Sequence, residues 1–333
     1  MSFSYLAGGR ELWSDVPLPS LCSAPAASAS ASAVPGAGAI HLVVSGEPFE
    51  EPARWLYTER YDETLEPWRA VGARDREYLV RLFGFADFLL EKGGHTARVR
   101  VAAGAPESAI EPLFLEQVLP LWWSLLGRPC LHASAVAWGE GEGACAIAFA
   151  GASGAGKSTL ATSLAGAGGL LADDCLALDV VEGGVLAYPG HRAVRLFGDS
   201  AEALFASAEA GELAPDGEKR RVVVPAADRS LPLARIYLLE RPASSDVGTA
   251  RAERLRLRDA VSRLAGCLFR IDPEDRSQLA GELDLLGRIA AGVPVARLVV
   301  PRRFEELGGV RGVIEADLRG DGGGDPGRDP AQK

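Results

Sequence analysis

Short apolar runs broken by polar residues dominate the first third of the chain, and this texture predicts strands. Ile40–Val44 has the β-branched character of a strand, and Gly8–Val16, Trp55–Tyr57, Tyr78–Phe85, Ala86–Glu91 and Ala97–Val101 continue in the same manner. Gly93 and Gly94 supply a hairpin turn between the last two. Residues 20–38 are a run of Ala, Ser and Pro with almost no large apolar side chain, so a flexible loop is expected there. From Pro106 the pattern turns helical: Ile110–Leu126 is closed by Gly127 with Pro129 beyond it. Within it, Leu113–Leu126 holds Trp122 and Trp123 but is interrupted by Glu116, Gln117 and Pro120. It falls short of the roughly 20 apolar residues that cross a bilayer, so a buried helix is predicted.

Two strands follow, His132–Trp138 and Ala144–Phe149, separated by the glycine-rich turn Gly139–Gly143. Ser158–Ala165 reads as a helix ended by Gly166–Gly169, and Leu170–Ala172 as a short strand. Farther on, Ala234–Glu240 and Val295–Val300 are strand candidates, and Ala260–Phe269, Arg276–Ala291 and Phe304–Leu318 helix candidates. The expected fold class is therefore α/β: a strand-rich N-terminal region over 1–125, a mixed strand-and-helix domain over 126–317 and a disordered tail over 318–333. No internal repeat is visible.

The chain's 333 residues, 47% of them hydrophobic, suffice for one full core and a smaller second unit. A net charge of -10 argues against a general nucleic-acid binder, which needs a basic field, and would tolerate a basic substrate peptide. Cys22, Cys130, Cys145, Cys175 and Cys267 lie far apart with no CxxC pair, and read as reduced thiols, not a zinc site. The N-terminus has no basic segment followed by an apolar one, so no secretory signal is expected and a cytoplasmic location is.

The candidate chemistry begins at Gly151-x4-Gly156-Lys157-Ser158, a full Walker A pattern with an apolar strand before it and a helix after it. Glycines 151, 154 and 156 let the backbone amides turn inward around phosphate, and the helix adds its positive end. Gly151, Ala152, Ser153, Gly154, Ala155, Gly156, Lys157, Ser158 and Thr159 are thus the expected nucleotide-binding residues, with ATP and Mg2+ as cofactors. Lys157 is expected to reach the β and γ phosphates and Ser158 to ligate magnesium. Asp173 and Asp174 end the next strand, where carboxylates reach the ligand edge of an open sheet. One is expected to hold magnesium and the other to accept a proton from an attacking hydroxyl; which does which stays open. His132, among small apolar residues, reads on its own as a core histidine.

Leu131–Val136, Gly151–Thr159 and Leu171–Asp174 together resemble the catalytic core of the bacterial HPr serine kinase/phosphorylase family, and more closely its HPr-kinase-related branch found beside peptide-modifying genes. Tyr188–Phe197 and Arg297–Arg302 extend the resemblance, which covers residues 128–240 well. It implies a fold similar to phosphoenolpyruvate carboxykinase around the nucleotide, and γ-phosphoryl transfer to a serine. It also implies a catalytic role for His132 beside Asp173 and Asp174, and a protein or ribosomally made peptide as partner, with no nucleic acid or membrane. A homo-oligomer is compatible with it. The N-terminal region does not resemble that family's regulatory domain, and its second signature is not recognisable. Arg195 is a further candidate for stabilising the transferring group, as are His191, Arg192 and Lys219. Lys219–Arg221 reads equally as a basic entry to a strand or as a contact for an acidic substrate segment. The competing functions are a nucleotide-binding interaction protein and a small-molecule kinase or ATPase.

Overall fold

The computed structural model describes residues 2–23, 38–60, 66–166, 168–205, 212–213, 219–240, 250–301 and 304–320. Its Cα framework divides into two compact units, one of residues 1–130 and 269–279, the other of 131–268 and 280–333.

The first unit is built on a nine-stranded sheet, β1 (Phe3–Ala7), β2 (Arg10–Ser14), β3 (Cys22–Ser23), β4 (Ile40–Val44), β5 (Arg54–Arg60), β6 (Pro67–Arg74), β7 (Glu77–Leu82), β8 (Ala86–Glu91) and β9 (Thr96–Val101), in the order β3-β1-β2-β4-β9-β8-β7-β6-β5. From β5 to β9 it is a plain antiparallel meander. Period-two alternation makes one face apolar: Leu12, Ile40, Leu42, Phe88, Leu90, Ala97 and Val99 are fully buried. Helix α1 (Glu107–Leu113) passes through π-type turns over Phe114–Val118 into α2 (Leu119–Leu125). Phe114 stacks on Phe88, and both tryptophans of α2 are buried, with the Trp122 indole N–H donating to the Gly94 carbonyl at 3.0 Å. Part of the stretch expected to be a loop is ordered. Leu21, its one large apolar side chain, is buried and leads into β3, whereas 24–37 lie outside the described residues.

The second unit carries the other nine-stranded sheet. Its strands are β10 (Cys130–Leu131), β11 (Ala133–Trp138), β12 (Cys145–Ala150), β13 (Leu170–Ala172), β14 (Leu176–Val181), β15 (Gly184–Ala187), β19 (Leu231–Glu240), β20 (Arg251–Arg254) and β21 (Val295–Val299). A separate small sheet has the order β16 (Ala193–Phe197), β18 (Lys219–Val223), β17 (Glu212–Leu213). In the main sheet both faces are covered, so its central strands are nearly continuous apolar runs. Ala146, Ala148 and Ala150 of β12 share one core with Ala260 and Leu264 of α5 (Leu257–Ala265) and Leu286 and Ile289 of α6 (Arg276–Gly292). Ile147 and Phe149 share the other with Leu160 and Leu164 of α3 (Lys157–Leu164) and Val310 and Ile314 of α7 (Leu307–Arg319). Seven-residue α4 (Gly198–Leu204) follows β16. Arg319, expected in the tail, belongs to α7, in which Asp317 is buried and which ends at Gly320 with φ 82°. Residues 321–333 lie outside the described residues. No helix among the described residues is long and apolar enough to cross a membrane.

Candidate functional site

Strand direction gathers the site. β12, β19 and β21 run parallel, and β13 acquires the same direction through two antiparallel steps across β11. The carboxyl ends of all four therefore open on one sheet edge, where ligands of α/β sheets bind. The chain places there the 151–159 loop, Asp173 and Asp174, Glu240, and Val300 with Pro301; His132 immediately precedes β11 at the same edge. A cleft of about 690 Å³ lies at this edge, and its lining includes His132, residues 153–160, Asp174, Arg195, Lys219 and Glu240.

The loop between β12 and α3 depends on backbone conformations that side chains resist. Gly156 adopts φ 94° directly before α3, and a Cβ at Gly151, whose φ is 147°, would stand 3.2 Å from the Leu239 carbonyl oxygen. Lys157 opens the helix, is 5% exposed, and donates from Nζ to the Gly151 and Ala152 carbonyls at 3.0 Å each. Burial lowers its pKa, opposed by the charges of Asp174 and Asp173. Thr159 donates to the Ser200 hydroxyl of α4 at 3.1 Å. Behind the loop, the Cys267 thiol accepts the Gly151 N–H and is pushed up by burial, while the Cys267 carbonyl accepts the His132 N–H at 2.7 Å. One residue thus fixes both the loop's entry and the histidine's backbone.

The two aspartates are adjacent but differently placed. Asp173 is 1% exposed; it accepts hydrogen bonds from the Ser134 hydroxyl at 2.6 Å, from the Arg195 backbone N–H at 3.2 Å and from Ser158. Burial and the neighbouring Asp174 charge raise its pKa against those bonds. Asp174 takes a left-handed backbone, φ 58°, an uncommon conformation that aspartate tolerates better than most residues. Asp173 does not line the cleft, and Asp174 does. Burial works to raise its pKa, but the hydrogen bond from His132 and the charges of Arg195 and Lys219 outweigh it and hold the group well below the usual carboxylate range. The His132 Nε2 lies 3.5 Å from Asp174 Oδ1.

Residues picked out in the sequence thus meet here from five separate segments: His132, the 151–159 loop, Asp173 with Asp174, Arg195 and Lys219. His191 and Arg192 do not line the cleft; the first is buried and the second exposed. Sequence reasoning passed over Ser134, Ser200, Cys267 and Glu240. Glu240 had a signal, a carboxylate closing the apolar run Ile236–Leu239; it pairs with Arg263 and, at 3.3 Å, with Arg297. The others are small polar residues in apolar surroundings, and nothing local distinguishes them.

The oxygen donors Ser158, Asp173 and Asp174 suit a hard divalent cation. Among the described residues there is no group of three His, Cys, Asp or Glu that could hold a metal alone. Such a donor set fits Mg2+, which keeps water and takes substrate oxygens for its remaining positions.

No protein-family model and no curated protein matches the chain. Among solved structures it is similar to the HPr(Ser) kinase/phosphatase from Coxiella burnetii, at 13% identity and a TM-score of 0.30 over 58% of this chain and 99% of that one. A similarity so slight carries neither fold nor function.

Proposed function

We propose that the protein is an ATP- and Mg2+-dependent kinase that transfers the γ-phosphoryl group to a serine hydroxyl of a protein or ribosomally made peptide in the cytoplasm. The observation that supports this best is the convergence at one sheet edge of a Walker A loop with an aspartate pair split between a buried and a cleft-facing position. In this reading the 151–159 amides and Lys157 cradle the phosphates. Ser158 would hold magnesium, with its hydroxyl oriented by the hydrogen bond it gives to Asp173, and magnesium would neutralise charge on the β and γ phosphates. Asp174 faces the acceptor. It orients the hydroxyl and takes its proton as the acceptor oxygen bonds to the γ phosphorus and the bond to the β,γ-bridging oxygen breaks, releasing ADP. A carboxylate held so strongly ionised acts mainly by orientation, receiving the proton late. His132 positions Asp174, and Arg195 stabilises charge on the transferring group.

The test is incubation with γ-labelled ATP and Mg2+ against serine peptides and proteins encoded nearby, with Lys157→Ala and Asp174→Asn beside the parent chain. Label on a seryl acceptor, lost in both variants, is the expected result. Tight nucleotide binding with no label on any acceptor would replace the kinase by a nucleotide-gated binding protein.

A further inference from the structure

We infer that the end of the cleft remote from Asp174, walled by Val300, Pro301, Phe304 and Leu307, is a nucleobase subsite that takes the purine of a nucleoside triphosphate; this rests on the phosphotransfer reading and adds where the nucleotide lies. Strand order sets the direction. At the carboxyl edge the order is β13, β11, β12, β19, β21, and the 151–159 loop rises from the middle strand. Strands lie about 4.8 Å apart, so Asp174 after β13 stands about 10 Å to one side of the loop and Val300 after β21 about 10 Å to the other. The helices repeat this order. Helix α3 packs against β16 and α4, where the Arg195 N–H reaches Asp173, and also against α7, which follows β21. A triphosphate on the loop that presents its γ phosphorus to Asp174 therefore carries its sugar and base toward β21 and α7.

An apolar wall stands there. Val300 and Leu307 are half-buried and pack on the same core as Ala155 of the loop, and Pro301 is buried. Phe304 opens the short 3-10 turn Phe304–Glu306 that leads into α7, and lines the cleft with 36% of its surface exposed. A ring left open beside a phosphate-binding loop suits stacking by a heterocycle, and a fused purine covers more of it than a single-ring pyrimidine. The cleft also holds Phe197, but the Lys219 ammonium already lies 5.2 Å from that ring's centre, and Phe197 ends β16 at the Asp174 side. Glu240 closes β19 between loop and wall; its pairing with Arg263 and Arg297 offsets its repulsion of the phosphates.

The experiment measures the equilibrium affinity of the full-length protein, with Mg2+, for ATP, CTP and inorganic tripolyphosphate, which has the phosphates and no base. The parent is expected to bind ATP at least about tenfold more tightly than tripolyphosphate, with CTP between them. Phe304→Ala is expected to weaken ATP about tenfold and to leave tripolyphosphate unchanged, which also shows that the variant is folded. Phe304→Leu keeps apolar volume and loses the ring; the same loss is expected of it, and it keeps the test decisive if the alanine variant does not fold. Phe197→Ala is expected to preserve the preference for ATP over tripolyphosphate. The proposal is overturned if the parent binds ATP no better than tripolyphosphate or CTP, if both Phe304 variants bind ATP as the parent does, if their loss extends equally to tripolyphosphate, or if the preference collapses in Phe197→Ala instead. Affinity is read without phosphate transfer: a preference for ATP that depends on Phe304, with no label ever reaching an acceptor, refutes the kinase and leaves the subsite. Label transfer whose KM for ATP is the same in the parent and in Phe304→Ala refutes the subsite and leaves the kinase.

Discussion

The molecule contains two nine-stranded sheets that treat charge in opposite ways. In the first unit, charged residues point outward from an alternating sheet and pair across it: Arg81 with Asp87 at 3.0 Å and Glu51 at 2.8 Å, Arg98 with Glu77 at 2.8 Å. In the second, the central strands are apolar on both faces; an outward pair, Arg297 with Glu253, stands on β21 and β20, and other charges lie at strand ends or inside, as Lys157, Asp173, Asp174 and the buried Arg235–Asp317 pair. An outward pair costs little and adds little; an inward charge has to be held by specific partners. Charges crowded with like neighbours, as the adjacent aspartates are, are the groups on which the proposed phosphotransfer rests.

The sharpest way to break this contrast is at the cleft. Lys157→Ala and Asp174→Asn are each expected to reduce phosphotransfer by about 10³-fold or more, about 4 kcal/mol of transition-state stabilisation. Asp174→Asn should meanwhile lower the urea midpoint only modestly: it removes a carboxylate that His132, Arg195 and Lys219 hold ionised, but it also relieves the like charge beside Asp173, and asparagine tolerates the same left-handed backbone. A large loss of stability would mean that the pair is structural. Next comes Asp317, which forms an ion pair with Arg235, whose Nε lies 3.0 Å away, and accepts from the Tyr237 hydroxyl at 2.8 Å. Asp317→Ala leaves a buried guanidinium uncompensated and should cost about 3–5 kcal/mol in denaturant unfolding.

The cores invite opposite substitutions. Phe88→Ala in the first unit removes a buried ring and is expected to cost about 3–5 kcal/mol. In the second, where alanines let layers approach, Ala148→Leu should cost about 1–3 kcal/mol by overpacking.

The smallest effect is at Asp275, whose pKa is held well below the usual carboxylate range by hydrogen bonds from Lys92, from Ser277 and from the Gln278 N–H. A depressed folded pKa contributes stability above the unfolded value, near 4, that is lost as pH falls through the folded one. Asp275→Asn, which retains a capping oxygen, should therefore lower stability at pH 7 by less than about 1 kcal/mol, with the difference from the parent shrinking on acidification below pH ~4. A gap that widens in acid would reverse the sign.

What was legible in the sequence divides along the same line. The Cys145–Ala150 run, the loop glycines and the following helix are contiguous, so one stretch of chain contains the whole signal. β16 was not assigned as a strand, and β18 was only one of two readings of Lys219–Arg221, because the charged run Lys219, Arg220 and Arg221 masks the strand. β14 and β15 went unremarked although Gly183 and Gly184 mark their turn. Nothing local announces that residues 269–279 group with the first unit, since that depends on packing across a long stretch of chain. Of the site, the aspartates were visible as a pair, but their different placement goes with the positive φ of Asp174 and the Ser134 hydroxyl bound to Asp173, which only the fold supplies.

The contact between the last helix and β19 also fixes how short the chain can be made. Asp317 brings its carboxylate to Arg235 Nε and the Tyr237 hydroxyl, and its own carbonyl accepts from Arg235 Nη2 at 3.0 Å. Trimming back to Gly320 keeps every one of those bonds. A stop codon before 317 removes them all at once, so shortening from this end meets a cliff and not a slope, and the cliff stands a few residues inside the helix's last turn.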